Sequence, residues 1–491
     1  MRATRTRRLA ATVLAAAALI SACSDDTDVE RSDEVTTTSA AETPTGETTT
    51  PEAEAPEIAW QSCGGAECAT VAVPRDHDEP DGATIDLFVR RLPATGDRIG
   101  ALFLNFGGPG AGAADLVSRW PVPAEIRERF DIVGMDPRGV GSSTPLDCGL
   151  DPATLYSVDP TIEDQGDEQA LLDVSERYVE DCASSRPELL PHLGTRDVAR
   201  DMDLVRAGMG DEQLSFLGYS YGTSIGQVYA ELFPDRVRTM VLDGLVDTAP
   251  SGIETAVAQA EGFERALQNW ADGCPQRASC PFDDPIATVE QVIAAAENGI
   301  SSSGGTRTLG PGETAIALAY PLYQQSLWTS LDAALAAAGR GDGSGMISLA
   351  DSYIGIADFS IYFAVSCLDS AWPRDTDVFL AAADAADEDA PRFGEAIVND
   401  YIRCALWPTE PDPIGALRAP GAPPILVVSG TGDPATPYES GVTVADRLDS
   451  GVLLTYEGEG HTIVFQDNAC IDDLVAAYLV DGSVPSDGAT C

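Results

Sequence analysis

The sequence contains no lysine. Its 29 basic side chains are all arginines, and 79 aspartates and glutamates outnumber them, which gives a formal net charge of −50. A surface with this charge repels nucleic-acid phosphates and anionic lipid headgroups. We therefore expect neither nucleic acid nor an anionic membrane surface among its partners. The glycine-rich stretch 107–112 is not a phosphate loop of the lysine-containing type, because the chain has no lysine to complete it.

Histidine is almost as scarce. The chain has three histidines, His77, His192 and His461, and none of its 11 cysteines forms a Cys-x-x-Cys pair. Structural zinc sites are usually built from several closely spaced cysteines and histidines, so we expect no metal and no cofactor. The same scarcity limits any catalysis that needs a histidine base to three candidates.

A long apolar run is also lacking. The run ATVLAAAALI covers residues 11–20 and follows the basic segment MRATRTRRLA, a combination that predicts a signal peptide over residues 1–22. Ser21 and Ala22 before Cys23 resemble a bacterial lipoprotein box. We expect an exported protein, either a cell-envelope lipoprotein lipidated at Cys23 or a secreted protein with an ordinary signal peptide. Membrane contact would then occur only through the lipid anchor at Cys23.

The segment after the signal peptide has the composition of a linker. Residues 23–56 are mostly Thr, Glu, Ala, Ser and Pro, with almost no large apolar side chain, and such a segment cannot bury enough surface to fold. We interpret it as a lipid-anchored disordered tether.

Ten cysteines remain after Cys23. An even number of cysteines in an exported protein predicts disulfide bonds. Short separations suggest the pairs Cys63–Cys68 and Cys274–Cys280, and a Cys470–Cys491 bond would hold the C-terminus. Spacing alone does not decide the connectivity.

The rest of the chain alternates short apolar runs with helical patterns. The runs lack polar alternation, which is typical of parallel strands buried on both faces. They cover residues 100–106, 130–136, 213–220, 237–244, 424–430 and 452–458. Two earlier strands, 68–76 and 84–92, fit an antiparallel edge pair. This pattern predicts a doubly wound α/β fold with a mostly parallel central sheet. Residues 248–419 break the rhythm and predict a helical cap between two core parts, 57–247 and 420–491.

One candidate nucleophile stands at a strand-to-helix junction. Ser220 is the serine of a G-x-S-x-G motif in LGYSYGT, with an apolar strand before it and a helical segment after it. The motif alone is common, but this context is the one that a nucleophile elbow requires.

The chain order then selects partners for Ser220. His461 is the only histidine that follows it, and a serine nucleophile needs a histidine base held by a carboxylate. Asp433, which follows an apolar strand, is the favoured acid, and Asp243 at the end of the preceding core strand is the rival. The glycine-rich segment NFGGPGAGA would allow close approach of its backbone to a substrate. The predicted oxyanion donors are the amide of Gly108 in this segment and the amide of Tyr221, which directly follows the nucleophile.

Several motifs match a known family in order and approximate spacing. They are VPRDHDEPDGATIDLFVRRL, LNFGGPG, FDIVGMDPRGVGSS, GYSYGT, FPDRVRTMVLDG, GTGDPATP and GEGHT. Together they resemble the α/β-hydrolase family of actinobacterial tripeptidyl aminopeptidases and their proline-iminopeptidase relatives. Two positions depart from the family pattern: His77 stands where a tyrosine is usual, and Phe106 stands where proline or histidine is usual.

The resemblance implies a serine exopeptidase of the α/β-hydrolase fold that cuts short peptides from a free N-terminus. It also implies that acidic cap residues hold the substrate ammonium group. The working hypothesis is acyl-enzyme formation on Ser220, with His461 as the base and Asp433 as its orienting acid. The alternatives are a carboxylesterase or lipase-type ester hydrolase with the same triad, and a peptide-binding module without turnover. The sequence predicts no particular oligomeric state.

Overall fold

A mostly parallel β-sheet forms the centre of the structure. The computed structural model describes residues 54–149, 151–355 and 359–491, so the predicted signal peptide, Cys23 and nearly all of the predicted tether lie outside the described residues. In chain order the strands are β1 (Gln61–Cys63), β2 (Ala66–Pro74), β3 (Thr84–Leu92), β4 (Gly100–Asn105), β5 (Phe130–Met135), β6 (Leu214–Tyr219), β7 (Val237–Asp243), β8 (Ile300–Ser301), β9 (Thr308–Leu309), β10 (Ile425–Gly432), β11 (Gly451–Glu459) and β12 (Ala489–Thr490).

Ten of these strands form one sheet. Their order is β1-β2-β3-β5-β4-β6-β7-β10-β11-β12, and β8 and β9 form a separate antiparallel pair. The pairs from β1 to β5 along this order are antiparallel, and every pair from β5 to β12 is parallel. The predicted fold class is therefore confirmed, including the antiparallel edge.

The central strands are buried on both faces. Every residue of β4, β5 and β6 is buried, which explains why these strands read as continuous apolar runs. Successive side chains of β4 enter different cores, because neighbouring residues of a strand point to opposite faces. Phe103 packs in one core with Val198 of the described helices, and Leu104 packs in the other core with Ile471.

Helices cover both faces of the sheet. They are α1 (Ala113–Leu116), α2 (Ala124–Arg129), α3 (Pro152–Leu155), α4 (Gln165–Ser185), α5 (Thr195–Gly208), α6 (Gly222–Leu232), α7 (Gly252–Asp272), α8 (Pro285–Ala296), α9 (Pro311–Ala319), α10 (Trp328–Ala338), α11 (Ser344–Ile354), α12 (Phe359–Asp369), α13 (Thr376–Ala386), α14 (Gly394–Asp400), α15 (Arg403–Leu406), α16 (Tyr438–Arg447) and α17 (Ala469–Asp481). Residues of α2 and α17 share one core with the sheet, and residues of α4, α5, α6 and α16 share the other.

The helices between β7 and β10 form the cap. Helices α7 to α15 and the β8–β9 pair lie in this stretch of the chain, and many of their apolar residues build a core of their own around Trp270 and Leu331. The predicted helical cap between core strands is therefore present. The boundaries of the five predicted segments stay predictions.

Five disulfide bonds link the ten cysteines that follow Cys23. The three suggested pairs, Cys63–Cys68, Cys274–Cys280 and Cys470–Cys491, are confirmed. The other two bonds are Cys148–Cys182 and Cys367–Cys404. None of the helices in the described ranges combines the length and the apolar character that crossing a bilayer requires.

Candidate active site

Ser220 occupies a strained turn between β6 and α6. Its φ angle is 53°, in the left-handed region that side-chain-bearing residues rarely adopt. A Cβ atom at Gly218 would lie 2.4 Å from the carbonyl oxygen of Gly222, and one at Gly222 would lie 2.8 Å from the carbonyl oxygen of Asn105. The two glycines of the motif are thus required for close packing of the strand, the turn and the helix, as in a nucleophile elbow.

His461 and Asp433 form a buried pair. Nδ1 of His461 lies 2.9 Å from Oδ1 and 2.8 Å from Oδ2 of Asp433, and the two residues are 8% and 4% exposed. With Nδ1 facing a carboxylate, the ring proton of neutral His461 belongs on Nδ1. Nε2 is therefore left as the basic atom, and this buried atom has no hydrogen-bond partner in the described residues.

The Asp433 carboxylate is held by its own loop. Oδ1 accepts hydrogen bonds from the amides of Ala435 and Thr436, both 2.9 Å long, and Oδ2 accepts one of 2.9 Å from Oγ1 of Thr436. Thr436 Oγ1 also lies 3.3 Å from Nδ1 of His461. These contacts satisfy a buried carboxylate and fix its direction, which a buried charge requires.

Asp243, the rival acid, faces a different partner. Its Oδ2 accepts hydrogen bonds of 2.7 Å from the amides of Ile463 and Val464, just after His461. Its backbone oxygen accepts a 2.8 Å hydrogen bond from the Ser220 amide. Asp243 therefore joins the serine turn to the histidine loop, while Asp433 is the carboxylate that contacts the imidazole.

The other two histidines lie elsewhere. Nε2 of His77 is 2.9 Å from Oδ1 of Asp201, which also receives the guanidinium of Arg138. His192 has its nearest carboxylate, Asp197, at 4.0 Å. Neither histidine lines the cavity that contains Ser220 and His461.

Two backbone amides beside Ser220 have no acceptor among the described residues. Neither the Gly108 amide nor the Tyr221 amide donates a hydrogen bond to another described residue, whereas the Gly107 amide donates to Oδ1 of Asn105 at 3.0 Å. A Cβ atom at Gly107 would lie 2.9 Å from Cβ of Ser220, so glycine allows the loop to approach the serine. Both free amides belong to residues that line the cavity, as an oxyanion site requires.

The cavity around Ser220 is large and acidic. Its volume is about 1090 Å³, slightly above the range of about 300–1,000 Å³ that is usual for small-ligand sites. No arginine lines it in the described part of the chain. Apart from His461, its charged lining residues are four carboxylates: Asp247, Glu254, Asp369 and Glu439. Tyrosines of the cap, among them Tyr323 and Tyr353, also line the cavity.

Burial and neighbouring charges have opposite effects on the pKa of His461. Burial lowers the pKa of His461, but the charge of Asp433 and its hydrogen bond outweigh this effect, so the pKa lies above its usual value. Burial raises the pKa of Asp243 to about 7, although two backbone hydrogen bonds counteract it. The imidazole is thus prepared to accept a proton when Asp433 is ionised.

Comparisons with known proteins agree with this geometry. Residues 100–291 match the family model described as alpha/beta hydrolase fold, and residues 390–491 match the model described as TAP-like protein. The chain is 39% identical to serine protease Hip1 of Mycobacterium tuberculosis over 456 residues, which cover 87% of this chain and 88% of that protein.

Two further relatives have similar coverage. Carboxylesterase B of Mycobacterium tuberculosis is 38% identical over 473 residues, covering 89% of this chain and 90% of that protein. Tripeptidyl aminopeptidase of Streptomyces coelicolor is 31% identical over 464 residues, covering 88% of this chain and 86% of that protein. The chain belongs to the TAP-like α/β-hydrolase family. It is a serine hydrolase.

The sequence reasoning missed two contacts of this hydrolase site. Tyr323 of the cap accepts the His461 amide on its backbone oxygen at 2.8 Å and packs its ring edge-on against the imidazole, 5.5 Å between centroids. The Tyr221 hydroxyl lies 2.6 Å from Oγ1 of Thr195, which donates to Asp369 at 2.5 Å. An aromatic run in the cap was visible in the sequence, but no pattern indicated which ring faces the histidine.

Replacing the acid tests its assignment. We expect Asp433→Asn to lower kcat about 10³- to 10⁴-fold, because the amide no longer holds the imidazole as a base. Asp243→Asn should cost about tenfold or less, because an amide oxygen can still accept from the loop. Steady-state kinetics on both variants, with thermal unfolding as the control for folding, makes the comparison. A larger loss in Asp243→Asn would move the role of acid to Asp243.

The pH profile tests the same pair independently. Activity needs neutral His461, so kcat/KM should rise with pH through a limb above the ordinary histidine value of about 6.5. Asp433→Asn removes the main group that raises this pKa and leaves burial, which lowers it, so the limb should move to lower pH. Asp243→Asn should produce a smaller shift in the same direction. An unchanged limb in Asp433→Asn would contradict the pairing.

Proposed function

We propose that the chain is an exported aminopeptidase that releases short peptides from the free N-terminus of its substrates through an acyl-enzyme on Ser220. One observation carries the proposal: a strained serine and a histidine held by a buried carboxylate line one large cavity, whose other charged lining groups are carboxylates. The names of two relatives, a serine protease and a tripeptidyl aminopeptidase, support peptides as the substrate class.

Each proposed role follows from the place of a group in the cavity or from its hydrogen bonds. Ser220 Oγ gives its proton to the free Nε2 of His461 and attacks the carbonyl carbon of the peptide bond. The developing oxyanion accepts hydrogen bonds from the amides of Gly108 and Tyr221, each of which contributes about 10²- to 10³-fold in rate in related chemistry. The imidazolium, stabilised by Asp433, then donates its proton to the leaving amine. Water, deprotonated by His461, releases the acyl group from Ser220.

The charge of the cavity favours a substrate with a free ammonium group. Asp247 is paired with Arg447 at 2.6 Å, and the largely exposed Glu439 lies 3.8 Å from Arg265. Asp369 and Glu254 form no ion pair with arginine in the described residues, and both line the cavity from cap helices. They are the proposed anchors of the substrate N-terminus.

Asp369 is the stronger of the two anchors. Burial raises its pKa to about 7, although Thr195 donates to both of its oxygens. A bound ammonium group would favour the ionised carboxylate and gain an ion pair in a site with little water. Glu254 is exposed and already accepts from Ser251 at the start of α7, so it suits an outer position.

An ester hydrolase is the second candidate. Phe106, Trp120 and the cap tyrosines give the cavity broad apolar walls, and the relative named carboxylesterase B covers nearly the same length of chain. The same triad cleaves an ester by the same steps, since only the leaving atom differs.

The location of the protein is part of the proposal. Five disulfide bonds favour an oxidising compartment outside the cytosol. Cys23, outside the described residues, is the proposed lipidation site, and residues up to 56 would then connect the lipid to the folded part.

Blocking the substrate N-terminus tests the proposed function. We expect N-acetylation of a tripeptide anilide to lower kcat/KM at least about 30-fold, because a desolvated carboxylate loses its cation. Asp369→Asn should reduce this ratio between free and acetylated substrate, while the control Glu439→Gln, at the exposed rim, should preserve it. Equal turnover of the two anilides would contradict the aminopeptidase and leave the ester hydrolase.

A further inference from the structure

Three aromatic rings form a continuous surface on the core side of the cavity. Phe106 stacks on Tyr219 with 5.7 Å between ring centroids and 5° between planes, and Trp120 meets both rings edge-on at 4.9 and 5.2 Å. The Trp120 indole donates a 2.9 Å hydrogen bond to the Tyr219 hydroxyl. We call Phe106, Trp120 and Tyr219 the aromatic shelf.

The aromatic shelf is open to the cavity. Tyr219 is 2% exposed, whereas Phe106 and Trp120 are only partly buried, and all three line the cavity beside Ser220. The proposed catalytic steps use the backbone that follows Phe106 and no part of these rings. Phe106 has no polar side-chain atom, and the indole N–H of Trp120 is already bonded. Two such partly exposed aromatic side chains next to a nucleophile are suited to contact an apolar substrate group.

The position of the aromatic shelf indicates which part of the substrate it meets. The Tyr219 hydroxyl donates to the backbone oxygen of Val464 at 3.2 Å, in the loop that carries His461. Phe106 and Trp120 pack against the core that contains Ile463 and Val464. In the proposed mechanism His461 gives its proton to the leaving group of the substrate. We therefore expect the aromatic shelf, which packs against the loop that carries His461, to face this leaving group. Asp369 and Glu254, the proposed anchors of the substrate N-terminus, line the cavity from cap helices, whereas the aromatic shelf belongs to the core.

We propose that the aromatic shelf is a binding subsite for an aromatic or large aliphatic side chain on the first residue after the cleaved bond. This inference rests on the proposed aminopeptidase function and adds the substrate preference on its leaving side. A flat side chain can stack on Phe106 or meet the Trp120 edge, whereas a carboxylate there would lose water and find no cation in the lining.

A peptide series measures the preference. The probes are N-terminally free tetrapeptides that differ only in the fourth residue, with phenylalanine, alanine or aspartate after the bond cut by a tripeptide-releasing enzyme. We expect kcat/KM for phenylalanine to exceed that for alanine about tenfold, with aspartate slowest. In Phe106→Ala the ratio of phenylalanine to alanine should fall towards one, and Phe106→Tyr should retain it. Varying the third residue instead should give ratios that Phe106→Ala does not change.

A matched control separates the aromatic shelf from general loss of an aromatic ring. Phe233 is also partly buried and packs at a tilt against a tyrosine, Tyr229, but it does not line the cavity. Phe233→Ala should keep the preference of the parent enzyme. An unchanged ratio in Phe106→Ala, or a change confined to the third residue, would overturn the proposal. Thermal unfolding of each variant identifies any that fail to fold, and Phe106→Leu replaces Phe106→Ala in that case.

Ester probes keep the two proposals distinguishable. Phenethyl acetate and ethyl acetate have the same acyl group and differ only on the leaving side. If peptides are not cleaved but the phenethyl ester is preferred and Phe106→Ala removes the preference, the aminopeptidase fails and the aromatic shelf stands. If peptides are cleaved from a free N-terminus with no leaving-side preference, the aminopeptidase stands and the aromatic shelf fails.

Discussion

The hydrogen bond between the Asp433 carboxylate and Nδ1 of His461 is the interaction on which the site depends. Both groups are buried, and a buried carboxylate without partners would take up a proton instead of keeping its charge. Two loop amides and Thr436 keep Asp433 in place, so its charge can raise the basicity of His461. The basic nitrogen that results, Nε2, is buried without a hydrogen-bond partner among the described residues, and His461 lines the same cavity as Ser220.

The parallel sheet makes this contact possible over a long chain distance. Neighbouring parallel strands end at one edge, and β6, β7, β10 and β11 are neighbours there, so the loops that follow them meet. Asp243 at the end of β7 strengthens the junction, because its backbone holds the Ser220 turn and its carboxylate holds the loop after His461. The cap contacts the site through Tyr323, whose backbone oxygen accepts a hydrogen bond from the His461 amide.

The sheet, the serine turn and the proposed catalytic histidine could be predicted from the sequence, because they depend on local patterns or on a rare residue type. The alternation of apolar runs and helices predicts the sheet, and the glycines around Ser220 predict the turn in which it lies. His461 follows from the scarcity of histidine together with chain order. Asp433 and Asp243 could not be separated with the same certainty, since both end core strands and only the structure shows that one contacts the imidazole and the other contacts amides.

The contacts that the sequence does not predict join residues that are far apart in the chain. Asp369 reaches Tyr221 through Thr195, three residues from distant parts of the chain that no spacing rule connects. The sequence marks Phe106 as a departure from the family pattern, but the stacking of its ring on Tyr219 and its edge contact with Trp120 depend on how the loop after β4 packs. Disulfide pairs over short separations were suggested from spacing, whereas Cys367–Cys404 and Cys148–Cys182 depend on helix packing in and beside the cap.

The most direct test of the central claim is to locate the covalent adduct that a fluorophosphonate forms with the intact protein. Mass analysis of the proteolytic peptides should find one modified residue, Ser220, and labelling should be slower in Asp433→Asn, in which the base is weakened. A folded Ser220→Ala variant should remain unlabelled. Labelling of that variant at the rate of the parent protein, or an adduct on another serine, would contradict the account.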